Sequence, residues 1–190
     1  WGMDDGMKRV SRERLEPAFR LHREEGFNMV RNWTGESTEE LFYTLCDEYG
    51  FYVMDECDME SHGVRRKGVP GSNPVWTNAV VDKMQRMVLR DRNHACVFMW
   101  SLGNEAGDGT NFAKMKEAAL ELDKTRQFHY EGDFDLTKSD VISRMYPLPD
   151  IMEKLGNREP ITISLYDNVA NQLAADSKPI PKEAYTKPVI

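Results

Sequence analysis

The stretch CVFMWSLGNEAGDG, residues 96–109, carries the strongest indication of fold in this 190-residue sequence. A nearly unbroken apolar run, typical of a strand buried on both faces, ends in Leu-Gly-Asn and is followed by one carboxylate, Glu105. A Gly-rich turn comes directly afterwards. The segment therefore predicts a buried parallel strand that presents polar side chains where it ends.

Strand-like apolar segments alternate with amphipathic helical segments along the rest of the chain. We predict helices over 9–26, 37–50, 73–93 and 111–125, and strands over 27–33, 51–60, 96–103, 128–133, 140–146 and 187–190. This alternation indicates parallel strands with crossover helices, because a tight turn cannot join two parallel neighbours. A doubly wound sheet and a (β/α)8 barrel both fit the pattern.

The placement of polar residues decides between these two folds. Four predicted strands run apolar and then end in acids, amides or phenols, which is the layout of a barrel's active-site face. A nucleotide-binding sheet would carry a Gly-rich phosphate loop after its first strand, and no such motif is present in the sequence. We therefore predict an α/β fold, a (β/α)8 TIM barrel that is incomplete in this chain and runs from the end of strand 1 to the start of strand 7. The Pro-rich residues 156–187 are expected to form a surface excursion before the last strand.

The composition argues against two classes of partner. A formal net charge of -7 disfavours nucleic acid, because phosphate binding needs a concentrated basic face, and the RRK at 65–67 is expected to be a solvated loop. No apolar stretch approaches the roughly 18 residues that a membrane-spanning helix needs. Three cysteines without metal-like spacing are expected to be buried, reduced thiols, which favours a cytoplasmic location; they are Cys46, Cys57 and Cys96. Both ends look cut, so we expect a piece of a larger protein.

Glu105 is the first candidate for chemistry. A carboxylic acid held at a strand end against Trp100 and other apolar neighbours would have its charged form disfavoured, which suits a general acid. Asn104 beside it can donate a hydrogen bond to a hydroxyl of a bound ligand. Alternatively, the Asn-Glu pair caps the helix near residue 111 or pairs with an arginine, and position alone does not separate these readings.

A second cluster of polar residues follows the predicted strand 51–60. Glu60 and His62 are two residues apart, so on an extended chain they point to the same side, where with another carboxylate they can share a divalent cation. Taken alone, a histidine bonded to a neighbouring acid is the commoner arrangement. Glu56 and Asp58 belong to the same cluster, and one of them is expected to be a structural acid paired with an arginine beneath the site.

Tyr146 ends another predicted strand, in the sequence ISRMYP. A tyrosine at this position can hold a nucleophilic carboxylate or donate to a leaving group. A side chain that covers the barrel rim is the commoner role of a single tyrosine.

Four segments, in order and at matching spacing, resemble the catalytic barrel of glycoside hydrolase family 2, the β-galactosidase group. They are FYTLCDEYGFYVMDECDMESHG (42–63), RMVLRDRNHACVFMWSLGNEAGDG (86–109), FHYEGD (128–133) and DVISRMYPLP (140–149). The sequence RDRNH followed by WSLGNE is the most specific part of the resemblance.

The resemblance implies a role for each candidate residue. Glu105 would be the general acid/base of a retaining β-glycosidase, and Asn104 would contact the 2-hydroxyl of the sugar. Glu60 and His62 match the positions that hold Mg2+ together with the acid/base glutamate. Tyr146 matches the tyrosine that hydrogen-bonds the nucleophile. The implied substrate is an oligosaccharide or β-glycoside with a terminal non-reducing β-linked sugar.

Two departures from the β-galactosidase pattern affect these expectations. The family's nucleophilic glutamate follows a strand that begins like KPVI, so we expect it beyond Ile190, in a remaining barrel segment that accompanies accessory β-sandwich domains. The isolated chain is then expected to be inactive. Near the amino terminus, the sequence RNWTGESTEE lacks a histidine found in β-galactosidases. Asn32 and Trp33 would take its place at the substrate, as in the β-mannosidase and exo-glucosaminidase branch.

Three alternatives to a β-galactosidase-like enzyme stay open. The chain can belong to a β-mannosidase or exo-glucosaminidase of the same family, or it can be a sugar-binding or partner-requiring barrel piece without turnover. A metal-dependent hydrolase that uses Glu60, His62 and Glu105 to activate water is the weakest reading. Such sites use more histidines, and His22 and His129 are expected to lie elsewhere.

Overall fold

The computed structural model describes residues 11–32, 40–61, 69–107, 109–133, 136–143, 147–159, 162–163, 178–179 and 186–190. The helices are α1 (Arg12–Glu24), α2 (Glu40–Tyr49), α3 (Thr77–Asp91), α4 (Thr110–Leu122) and α5 (Pro149–Gly156). The strands are β1 (Met29–Asn32), β2 (Tyr52–Glu56), β3 (Val97–Asn104), β4 (Gln127–Glu131), β5 (Thr162–Ile163) and β6 (Lys178–Pro179). Helices and strands alternate as the sequence predicts.

The first four strands form one parallel sheet in the order β1-β2-β3-β4. The chain continues beside β4, where the Asp140 amide donates to the Phe128 carbonyl oxygen over 2.7 Å. Beyond it, Ile142 and Val189 form an isolated parallel bridge. The predicted strands over 140–146 and 187–190 are thus present only as this bridge within the described residues. Six successive parallel positions match part of a barrel wall.

The two faces of the sheet have different neighbours. Outward-facing apolar residues, such as Val53, Trp100 and Phe128, pack against the helices in the main core. The inner face carries a smaller apolar cluster of Met54, Met99 and Val141. Because side chains alternate between the faces of a strand, each strand delivers every second residue to the inside of the sheet.

Strand β2 is shorter than the sequence predicts. The predicted strand over 51–60 ends at Glu56, because the chain turns at Cys57–Met59 before Glu60 pairs with β3. The described part of residues 156–187 includes the short antiparallel pair β5–β6, and its position as a surface excursion stays a prediction. All three cysteines are buried and free of disulfides, as expected. Within the described residues, no helix combines the length and apolar character required to cross a bilayer.

Candidate active site at the carboxyl ends of the strands

Gly103 sets the geometry of the site, because it allows the chain after β2 to lie directly against β3. Its φ is +146°, and a Cβ at this position would lie 2.6 Å from both the Cβ and the carbonyl oxygen of Met59. The Asn104 amide donates to that carbonyl oxygen over 3.0 Å. Asn104 and Glu60 consequently pair as a parallel bridge at the ends of neighbouring strands.

The Asn104 side chain is buried and has its orientation fixed by charged partners. Its Nδ2 donates to Glu60 Oε2, and its Oδ1 accepts from Arg31 Nη2 over 2.8 Å. Arg31 also donates from Nε to Glu56 Oε2 over 2.8 Å. Glu56 is therefore the structural acid that the sequence predicted to pair with an arginine, whereas Asp58 pairs with Lys83 at the surface.

Glu105 follows β3 with a backbone conformation that is rare for a side chain other than glycine. Its φ is +48°, and its amide donates to the Glu131 carbonyl oxygen over 2.7 Å. The side chain lies in a buried position. A left-handed non-Gly residue costs on the order of 1–3 kcal/mol, and such residues concentrate at functional sites. The strain at the predicted acid/base supports the functional reading of this position.

The predicted contact between Trp100 and Glu105 is wrong. Trp100 faces the helices, and its Nε1 donates to Asp123 Oδ2 over 2.9 Å at the end of α4. Sequence adjacency within one strand misled the prediction, because side chains along a strand spread over its length and over two faces. Glu105 therefore owes its burial to other neighbours, such as the chain at Glu131.

The N-cap of helix α4 is Gly109 and is neither Asn104 nor Glu105. The helix begins at Thr110. The arginine alternative is realised by Asn104 through its bond to Arg31. That bond belongs to the polar layer on the inside of the sheet, so it is compatible with a position of Asn104 in the site.

A buried polar network extends this layer across β3 and β4. His129 Nδ1 lies 2.8 Å from Ser101 Oγ, and its Nε2 lies 2.9 Å from Ser143 Oγ. Ser101 donates to Glu56 Oε2 over 2.8 Å, and Ser143 donates to Glu131 Oε2. The expectation that His129 lies elsewhere is thus wrong, because the alternation along β4 turns this residue to the inside of the sheet.

Burial alone would raise the pKa of Glu131, which sits at the end of β4. The His129 imidazole, 3.9 Å away, the hydrogen bond from Ser143 and the nearby charge of Arg31 outweigh burial and lower that pKa below its ordinary value. Glu131 is therefore an anion close to the Glu105 backbone.

Asn32 is not brought into this layer. Its side chain lies on the helix-facing side of β1, where Nδ2 donates to Tyr43 Oη over 3.1 Å and to Asp55 Oδ1 over 3.2 Å. Arg31, the preceding residue, occupies the inner face instead. The other predicted site residues lie outside the described residues; they are Trp33, His62 and Tyr146.

Two groups of residues bear on metal binding. Glu60 and Glu105 end adjacent strands and offer hard carboxylate oxygens, which suit Mg2+. Within the described ranges, a separate group with three possible ligand atoms within 4.8 Å comprises Asp47, His94 and Cys96. It lies before the start of β3, and both Asp47 oxygens already accept, from the Cys96 amide and from His94 Nδ1. We therefore assign this second group a structural role.

The sequence contained a signal for the residues that were missed. His129 stands two residues before Glu131, a strand-end acid, so the two share one face of β4. Arg31 likewise stands two residues before Trp33, a predicted site position. Ser143 carried no such signal, because its contact with His129 joins segments 14 residues apart.

Comparison with known proteins identifies relatives of the chain. The family model described as glycosyl hydrolases family 2, TIM barrel domain, matches residues 4–190. A β-galactosidase of Priestia megaterium (strain DSM 319 / IMG 1521) is 38% identical over 165 residues, which cover 82% of this chain and 16% of that protein. A β-galactosidase of Arthrobacter sp. (strain B7) is 50% identical over 95 residues, covering 48% of this chain and 9% of that protein.

Solved structures show the same fold. The crystal structure of a GH2 β-galacturonidase from Eisenbergiella tayi bound to glycerol matches with a TM-score of 0.61 at 23% identity, covering 76% of this chain and 28% of that chain. At this identity the match concerns the fold alone. Together the comparisons confirm the predicted family resemblance and the predicted incomplete TIM barrel. The chain spans 16% of the length of the first two β-galactosidases that it resembles.

Proposed function

The chain belongs to the glycosyl hydrolases family 2, as part of their TIM barrel domain, and from this membership we propose that it carries the acid/base half of the active site of a retaining, β-galactosidase-like β-glycosidase. The observation that supports the proposal most directly is the placement of Glu105. It is buried at the end of β3 in a strained left-handed conformation, next to an asparagine held by two charged partners. β-Galactosides are the substrates to test first, since the relatives compared above are β-galactosidases.

Glu105 acts twice in the proposed reaction. In the first step its carboxyl proton passes to the glycosidic oxygen while the bond from the sugar C1 to that oxygen breaks and a nucleophilic carboxylate bonds to C1. In the second step the Glu105 carboxylate takes a proton from water, whose oxygen bonds to C1 and releases the nucleophile. A retaining mechanism needs that second carboxylate about 5–5.5 Å away, and the full-length protein would supply it from another barrel segment.

Asn104 positions the sugar in this proposal. Its Oδ1 is occupied by Arg31, and one Nδ2 proton is directed to Glu60. The second Nδ2 proton can bond the 2-hydroxyl of the substrate. Hydrogen bonds to this hydroxyl strengthen in the oxocarbenium-like transition state of glycosidases.

Mg2+ is a proposed cofactor of the same site. Glu60 and Glu105 would hold it together with His62, since carboxylate oxygens are ligands that this ion prefers. A bound divalent ion would supply positive charge that offsets the acids at the strand ends. The full-length protein would add further partners, namely the remaining barrel segment and accessory β-sandwich domains.

The test is the Glu105→Gln variant of the full-length protein. Loss of general acid/base catalysis should lower turnover of an unactivated β-galactoside by about 10²–10⁴-fold. A dinitrophenyl β-galactoside, whose leaving group needs no proton, should be affected less in the first step, and added azide should restore turnover by attacking the glycosyl intermediate. Glu121→Gln, an exposed glutamate on α4, is the matched control.

Two outcomes would contradict the proposal. Unchanged activity of Glu105→Gln on the unactivated substrate would remove Glu105 from the reaction. A wild-type protein that binds β-glycosides but turns over none of a panel of galactosides, mannosides and glucosaminides would support the sugar-binding alternative instead.

A further inference from the structure

The hydrogen bonds of His129 indicate a role in the site that its residue type and position alone do not. Its side chain is 1% exposed on the inner face of β4. Each ring nitrogen faces one serine hydroxyl, Ser101 on one side and Ser143 on the other, at 2.8 and 2.9 Å. The ring therefore connects the layer around β3 to the chain beyond β4.

The charge of the His129 ring follows from its partners. Ser101 Oγ donates to Glu56 Oε2 over 2.8 Å, with the Gly103 carbonyl oxygen farther away at 3.5 Å, and Ser143 Oγ donates to Glu131 Oε2. Both serine oxygens must then accept from the imidazole, and only the doubly protonated ring donates from both nitrogens. Among the described residues, the charged groups that face the ring are Glu131, 3.9 Å from Nε2, and the Glu56–Arg31 pair behind Ser101.

One side of the ring leads to Asn104. Ser101 and Arg31 donate to the same oxygen, Oε2 of Glu56, and Arg31 then donates onward to Asn104 Oδ1. A neutral ring with a bare Nδ1 would attract the Ser101 proton away from Glu56. Glu56 would lose the Ser101 donor, and the Glu56 carboxylate that supports the guanidinium of Arg31 next to Asn104 would be held less firmly.

The other side of the ring leads to Glu105. Ser143 holds the Glu131 side chain, and the Glu131 carbonyl oxygen accepts the Glu105 amide over 2.7 Å. This contact fixes the left-handed backbone of the proposed acid/base. Movement of Glu131 would therefore shift the Glu105 backbone and, with it, the Glu105 carboxyl group.

We propose that His129 is a positioning residue of the glycosidase reaction, a buried imidazolium that orients Asn104 through Ser101 and Glu105 through Ser143. The inference rests on the proposed function. It assigns different consequences to the two sides of the ring, because Asn104 acts on the 2-hydroxyl of the sugar and Glu105 acts on the leaving group.

The test uses His129→Gln in the full-length protein. Glutamine donates from one atom and accepts at the other, so it cannot donate to both serines. On an unactivated β-galactoside we expect kcat/KM to fall about 10–100-fold, as when other supporting hydrogen bonds of active sites are removed. The loss should shrink both with a 2-deoxy-galactoside, which lacks the hydroxyl that Asn104 contacts, and with a dinitrophenyl leaving group.

Single-side variants sharpen the test. The loss of activity in Ser101→Ala should disappear with the 2-deoxy substrate and persist with the activated leaving group. The loss in Ser143→Ala should disappear with the activated leaving group and persist with the 2-deoxy substrate. These two variants also carry the test should His129→Gln fail to fold. His94→Gln, which removes a histidine bonded to Asp47 at the far end of β3, should change activity by one common factor on every substrate.

The inference is overturned if the losses in His129→Gln, Ser101→Ala and Ser143→Ala are the same factor on all substrates, or if none of the three loses activity. Such results in an active wild-type enzyme would leave the proposed function in place. A wild-type protein without glycosidase activity would instead contradict the proposed function itself.

Discussion

Asp55→Asn offers a quantitative test of the buried polar group between β2 and the helices. Asp55 is fully buried, and its Oδ1 accepts from Tyr43 Oη over 2.6 Å and from Asn32. Among the described residues no donor reaches Asp55 Oδ2, and the neighbouring group there is a second carboxyl, Asp91, which Arg90 holds in an ion pair. Burial, and then the Asp91 charge, raise the pKa of Asp55 to about 8. A proton on Asp55 removes the negative charge that the buried carboxyl group would otherwise carry.

The magnitude follows from linkage between protonation and folding. An aspartate in the unfolded chain has a pKa of about 4, so between about pH 4 and pH 8 the native state holds one more proton than the unfolded state. Stability therefore falls as pH rises through this window and is level outside it. At pH 7 the difference of about 3 pH units corresponds to about 4 kcal/mol. Asparagine keeps an acceptor and a donor in place of the protonated acid but does not titrate. Asp55→Asn should therefore remove most of the loss of stability that occurs as the pH rises.

Hydrogen exchange measured by mass spectrometry gives the local free energy of opening for the peptide that contains β2. We expect Asp55→Asn and the wild-type full-length protein to be similar at pH 5, and the variant to be more stable at pH 8 by about 2–4 kcal/mol. Asp82→Asn, which removes an exposed acid paired with Arg86 on α3, should show no pH-dependent difference. A difference that does not grow between pH 5 and pH 8, or a variant that is less stable at pH 8, would refute the protonated state of Asp55.

Three further predictions concern the strand ends. Gly103→Ala should lower kcat/KM at least about tenfold, because its Cβ would collide with Met59 and separate the strand ends, whereas Gly156→Ala, with open space around its Cβ, should leave activity intact. Arg31→Lys should lower kcat/KM by about 10–100-fold while expression stays normal, since an ammonium group lacks the fork that reaches both acceptors. In the wild type, dialysis against EDTA should lower kcat and added Mg2+ should restore it. In the same titration Glu60→Gln should weaken the response of kcat to Mg2+. Equal responses of the wild type and the variant would show that Glu60 is not a ligand.

The parts of the fold that the sequence predicted well depend on local patterns. The apolar run over 96–103 ends as β3 at Asn104, and the polar positions after β2 and β3 meet at one edge because parallel strands end together. Glu60, Asn104 and Glu105 were predictable because each stands at such an end. Helix α5 was missed, since it is only eight residues long, begins with Pro149 and ends with Gly156.

The parts that were missed depend on distant contacts. Which of Arg31 and Asn32 faces the inside depends on how β1 pairs with β2, and alternation alone does not set that phase. The sequence places His129 on the same face of β4 as Glu131, but it does not show that the ring joins Ser101 to Ser143. The predicted Trp100 contact failed for the same reason, because the sequence gives spacing along a strand without giving the neighbours across it.

Strand β2 ends in two adjacent acids that meet opposite surroundings. Asp55 points to the helices as a neutral acid, whereas Glu56 points inward and is paired with Arg31. A slip of one residue during folding would exchange them, placing the Glu56 carboxylate among the helix-facing partners of Asp55 and the shorter Asp55 side chain opposite Arg31. The two acids therefore favour the native register of β2 over a misaligned one while the sheet forms, before any substrate is present.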